Sequence, residues 1–150
     1  MIELLEENEA RLIEDAHLAL ERSHLKHYNE SGADVNKCRL ERLLQFAMNS
    51  IRSQNLIPLT DYIQEAATDR FNAGFSLNEV HTAINVMEEV IWEQIIKQLQ
   101  PSQQAEALKT VSRVLGAAKS SLGNTYVALA TKGKTPSLDV SKLFGGTEGD

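Results

Sequence analysis

Gly74-Phe75-Ser76-Leu77-Asn78-Glu79 is the stretch that decides the fold of this chain. Glycine takes the left-handed backbone conformation that closes a helix. Ser76 with Glu79 three residues on is the pattern of a capping box, which satisfies the orphan amides of a helix's first turn. A helix stop followed directly by a helix start predicts a tight corner between two helices. The helix launched there covers 76–99 and carries Leu77, Val80, Ile84, Met87, Val90, Ile91, Trp92, Ile95, Ile96 and Leu99. So broad an apolar set predicts burial on most sides, the position of a central helix in a bundle.

Outward from that corner, apolar residues recur at helical spacing and no segment alternates like a strand. The expected fold is all-α, a bundle of about five helices over 2–28, 34–54, 60–73, 76–99 and 102–131. Leu5, Leu12, Ala16 and Leu20 form the inner side of the first helix. Leu40, Leu44, Ala47 and Ile51 do so for the second, and Ile63, Ala67 and Phe71 for the third. Pro58 falls in the turn before the third helix, with Thr60 or Asp61 as its cap, and Ser102 after Pro101 caps the fifth. Residues 1–131 read as one helical domain. Residues 132–150 read as a linker and flexible tail with a short apolar patch at Leu138, Val140, Leu143 and Phe144.

In the fifth helix Leu108, Val111, Leu115, Ala118, Leu122, Thr125 and Leu129 alternate at steps of three and four, a heptad seam. Beside it Gly116, Ala117, Ser120, Ser121 and Gly123 form a row of small residues. Glycine inside a helix costs about 1 kcal/mol relative to alanine, so such a row points to the close approach of another helix. At 1.5 Å per residue the first and fifth helices would each measure about 40–45 Å. A compact domain of 150 residues is about 40 Å across. Helices of that length span the molecule or project to meet a partner. The expected partner is a second copy, with Leu108, Val111, Leu115, Gly116, Ala118, Ser120 and Leu122 as the interface.

The net charge of −6 argues against a nucleic-acid binder, whose phosphate affinity rests on clustered Lys and Arg. The charge is uneven: residues 1–30 hold eight acids against Arg11, Arg22 and Lys26, while 105–134 hold five basic residues against Glu106 alone. A lone Cys38 excludes an internal disulfide and suits a reducing compartment. No apolar run reaches the ~18–20 residues of a membrane span, and the acidic start is unlike a secretion signal. The expected location is the cytoplasm.

Candidate chemistry is sparse. His17 and His24 each follow a glutamate by three residues, the Glu-x-x-His spacing of di-iron bundles. In those bundles the two units come from two helices; here they share one and lie about 10 Å apart. His17, His24 and His27 are thus weak metal candidates, better read as part of a half-buried stripe with Ile13, Leu20 and Tyr28. They are also candidates for titration near neutral pH. His81 is a weak candidate for haem ligation, at the edge of the apolar stripe. Cys38, near a helix start, has no Cys-x-x-Cys partner and reads as an ordinary thiol. Glu88, Glu89 and Glu93 read as the solvent side of the fourth helix. With no phosphate loop, nucleophile elbow or zinc spacing, the chain reads as non-enzymatic, with no cofactor and no catalytic residues.

From about Leu12 to Leu129 the chain resembles the amino-terminal domain of RsbR/RsbRD-type regulators, the RsbT co-antagonist proteins of bacteria. Three blocks carry the resemblance: His27-Tyr28, then Arg39-Leu40-Glu41-Arg42-Leu43-Leu44-Gln45-Phe46, then Arg70 to Val80 with the helix that reaches Val90-Ile91-Trp92. The resemblance implies an all-helical, often dimeric input module that passes a signal to an output domain by helix repositioning. Here only a short tail follows 131, so a free-standing module, or an output domain on another chain, is expected. The function expected is that of a non-enzymatic cytoplasmic signal-transduction module acting through protein–protein contacts. The alternative is a helical sensor holding haem or metal.

Overall fold

The corner at Gly74 forms as the sequence predicts. The structure is a computed structural model that describes residues 1–134, with side chains to 132. Gly74 has φ +91°, and its amide bonds to the Phe71 carbonyl at 3.1 Å. Ser76 and Glu79 then make both bonds of the capping box, at 3.1 and 2.9 Å.

Seven helices follow one another: α1 (Ile2–Glu7), α2 (Glu9–Arg22), α3 (Lys26–Ser31), α4 (Ala33–Ser53), α5 (Ile57–Asn72), α6 (Leu77–Gln98) and α7 (Pro101–Lys134). All described regular structure is helical. The expected count of five is corrected, because the single first helix over 2–28 is three helices. Asn8 turns its side-chain amide back to the Leu4 carbonyl at 2.8 Å and takes a non-helical ψ of 15°. His24 adopts φ +53°, and Ser23 Oγ donates to the Ala19 carbonyl at 3.0 Å. Side chains that hydrogen-bond locally compete with the helix in this way. The first helix is thus too short to project, and only α7, whose 34 residues measure about 50 Å, is long enough to span the molecule.

Other boundaries shift for local reasons. Pro58 lies inside the first turn of α5, where its missing N–H is harmless. Asn55 Oδ1 accepts from the Ile57 amide at 3.1 Å, whereas Thr60 bonds back to Leu56 and caps nothing. Pro101 is the first residue of α7, a favoured place for proline. The helix runs through 134, past the expected start of the linker. The expected tail and its patch at Leu138, Val140, Leu143 and Phe144 lie outside the described residues.

Five rods close a ring: α1–α2 pack on α4 and α6, α4 on α5, α5 on α7, and α7 on α6. The core runs along the axis through Leu5, Leu12, Leu44, Leu59, Met87, Ile91, Ile95, Leu115 and Leu122. α6 is buried on most sides, as its apolar breadth implied, although Leu77 and Ile96 face solvent. The heptad seam on α7 points inward. Val111, Leu115, Ala118 and Leu122 belong to the chain's own core, and the last three expose none of their surface. These four are therefore corrected as interface residues, since α5 and α6 already cover them. Leu108 and Gly116 are half-buried and Ser120 is exposed.

Candidate functional site

One end of the bundle gathers residues far apart in sequence. Phe75, in the corner between α5 and α6, is buried and sits at its centre. The Tyr28 ring meets it edge-on at 5.0 Å, and the His27 ring lies 5.0 Å away on α3. The guanidinium of Arg39 on α4 stands over Phe75 at 5.3 Å and over Tyr28 at 5.7 Å; that of Arg70 on α5 is 6.0 Å from Phe75. Tyr126 on α7 donates its hydroxyl to the Phe75 carbonyl at 2.9 Å. Five helices are thus joined through one aromatic side chain and its backbone. Cation–π contacts of this kind contribute about 0.5–2 kcal/mol each, more when water is excluded.

Glu79 serves this junction twice. Its Oε1 accepts from the Ser76 amide and from His27 Nδ1 at 2.8 Å, and its Oε2 accepts from the His27 amide at 2.8 Å. Burial pushes the carboxyl up, but the amides of Ser76 and His27 and the imidazole together hold it below its ordinary value. The capping glutamate therefore also caps α3, 52 residues away. Asn36 binds the Tyr28 carbonyl at 2.7 Å and accepts from Arg39, which also reaches Ser31 Oγ at 2.9 Å.

All three tyrosines of the chain belong to this region, and burial raises the pKa of each. The charges of Arg70 and Arg39 oppose the rise at Tyr28, and those of Arg70 and Arg42 at Tyr62; Tyr126 is pushed up to about 12. A raised folded-state pKa means stability that is complete below the ordinary value of 10.0 and lost as pH rises through the folded values. Alkaline titration followed by tyrosinate absorbance should show ionisation delayed above that value and coincident with loss of helical circular dichroism. Tyrosinate formed at the ordinary pH in a fully helical protein would contradict this burial.

Two spaces adjoin at Arg39 and Arg70, the arginines that stand over Phe75, which itself lines neither. An inner chamber of about 40 Å³ is walled by Leu40, Leu43, Ile63, Val80, Ala83 and Ile84, with Tyr28 and Asn36 also in its lining. An outer recess of about 210 Å³ is lined by Arg39, Arg42, Tyr62, Arg70, Glu65 and Asp69. Arg39, Tyr62, Ala66 and Arg70 wall both.

The histidine candidates do not assemble. His17 is buried against Glu21 at 3.3 Å, His24 is exposed in its turn, and His27 is bound to Glu79. His81 pairs with Asn85 on its own helix at 3.1 Å. Among the described residues no three His, Cys, Asp or Glu side chains gather closely enough to hold a metal ion. Cys38 is exposed.

Glu88 corrects the solvent reading. It is only 6% exposed, and Lys119 on α7 donates to its Oε1 at 2.6 Å. The spacing within one helix carries no sign of a partner 31 residues away. Of the interface candidates, Ser120 borders an open groove of about 560 Å³ between α5 and α7. Thr60, Gln64 and Thr68 form one wall; Ala117, Ser121, Asn124 and Ala128 lie on the other. Ser121 Oγ bonds the Thr60 carbonyl across its floor at 3.2 Å.

No protein-family model matches the chain, and neither a curated protein nor a solved structure shows significant similarity to it. No described helix is long and apolar enough to cross a membrane.

Proposed function

We propose that the chain is a non-enzymatic cytoplasmic regulatory module that acts through protein–protein contacts and pairs with a second copy of itself. The α5–α7 groove carries this reading. It is floored by small side chains, which let another helix approach closely. Two of the most exposed large apolar residues sit beside it: Ile57 at 64%, on the face of Gln64 and Thr68, and Val127 at 63%, next to Ala128. α5 and α7 run parallel, with Thr60 near Ser121 and Phe71 beside Tyr126. Ile57 and Val127 thus flank opposite ends of the groove, where a second copy seated on it would cover both. The likeness of residues 12–129 to RsbR/RsbRD-type input domains supports the same reading. So does the junction at Phe75, through which a shift of one helix end reaches α3, α4, α5 and α7.

Light scattering on the purified chain should return twice 16.7 kDa at micromolar concentration. Ala117→Leu with Ser120→Leu fills the groove and should yield a folded monomer. A monomeric wild type overturns the pairing, and an unchanged dimer in the filled variant moves the interface elsewhere.

A further inference from the structure

We infer that the recess lined by Arg39, Arg42 and Arg70 is a binding site for a small carboxylic acid with a short apolar tail. Three guanidiniums line it, with the carboxylates of Glu65 and Asp69 in the same lining. Among the described residues no carboxylate, Glu65 and Asp69 included, lies within 4.0 Å of Arg39, Arg42 or Arg70. Arg42 lies over the Tyr62 ring at 5.4 Å. Arg70 bonds the Ala66 carbonyl at 3.3 Å and has the Tyr28 and Tyr62 hydroxyls within hydrogen-bonding reach, while its Nε is buried with no partner. A buried donor left unbonded costs about 1–3 kcal/mol, so an acceptor placed there is favoured. Burial lowers the pKa of Arg39, and the neighbouring charge of Arg70 lowers it further. An anion between the two would relieve both.

The inner chamber selects the rest of the ligand. Most of its lining is aliphatic, with Tyr28, Asn36, Arg39, Tyr62 and Arg70 completing it, and 40 Å³ holds about three water-sized groups. A planar carboxylate matches the fork of a guanidinium. With its head between Arg39 and Arg70, its tail of about three carbons enters the chamber through the shared wall at Tyr62 and Ala66. Butyrate has these dimensions; inorganic phosphate has a head and no tail, and 1-butanol a tail and no charge. The site stands independently of the pairing proposed above: a monomer that binds the acid sinks the one and keeps the other.

The test is a titration of the full chain with sodium butyrate, followed by the Arg Nε–H and backbone amide resonances. The expected result is a saturable shift centred on Arg39, Tyr62 and Arg70, with 1-butanol at least about tenfold weaker for want of the charge-assisted bond and phosphate at least about tenfold weaker for want of the buried tail. Arg70→Gln should weaken butyrate by about tenfold. If that variant does not fold, Arg42→Gln, at an exposed position, should weaken it severalfold. No saturable shift in the wild type, equal response to phosphate or butanol, or shifts centred on another face would overturn the inference. So would undiminished binding in a folded Arg70→Gln chain.

Discussion

Phe75→Ala should lower the unfolding free energy by about 3–5 kcal/mol, the range for removing a buried aromatic ring, as read from urea denaturation. Phe75 is buried to 7% exposure and touches the rings of His27 and Tyr28 and the guanidiniums of Arg39 and Arg70. The backbone bond from Tyr126 survives the substitution, because it ends on the Phe75 carbonyl. The loss is therefore one of packing and cation–π contact, and Phe75→Leu should recover about half of it. A loss below about 1 kcal/mol would mean that the five helix ends are held without this junction. The expected drop is large against the 5–15 kcal/mol typical of a whole domain, so near-ultraviolet circular dichroism from the three tyrosines should change with it.

Lys119→Ala should cost about 2–4 kcal/mol. Removing one member of a buried ion pair leaves the other charged and without its partner, which typically costs 3–5 kcal/mol. Lys119 keeps 23% of its side chain in water, which reduces the effect. The double variant Glu88→Gln with Lys119→Met should be more stable than Lys119→Ala, because it removes the stranded charge and keeps the volume. Thermal unfolding of the two variants and wild type separates the cases. Equal stability of Lys119→Ala and wild type would place Glu88 in solvent, as its position on the helix first suggested.

Local signals were legible in the sequence and long-range ones were not. The Gly74 corner and the Ser76–Glu79 box depend on residues within a few positions of each other, and both formed as expected. The apolar stripes on the second to fifth helices located their rods to within a few residues. The first helix broke where Asn8 and Ser23 bond to carbonyls four residues back. Those side chains were visible, but their choice between solvent and backbone depends on packing. The seam on α7 was found correctly and assigned to the wrong partner. A heptad repeat states that a helix is covered on one side, not whether the cover comes from its own chain.

The junction shows the same limit. His27-Tyr28, Arg39 and the stretch from Arg70 to Glu79 were each singled out, and the structure brings all of them to one end of the bundle. Nothing in their spacing linked them, because the bond from His27 to Glu79 crosses 52 residues. Arg39, Arg42 and Arg70 lie in helices whose aligned acids, Glu41, Glu65 and Asp69, do not pair with them within 4.0 Å.

Pairing of two copies across the α5–α7 groove is most directly tested by isotope-filtered nuclear Overhauser spectra on a mixture of labelled and unlabelled chain. The expected result is intermolecular contacts from the methyls of Ile57 and Val127 to those of Ala117 and Ala128. Intermolecular contacts confined to α2, or none at all at concentrations where a dimer is measured, would contradict it.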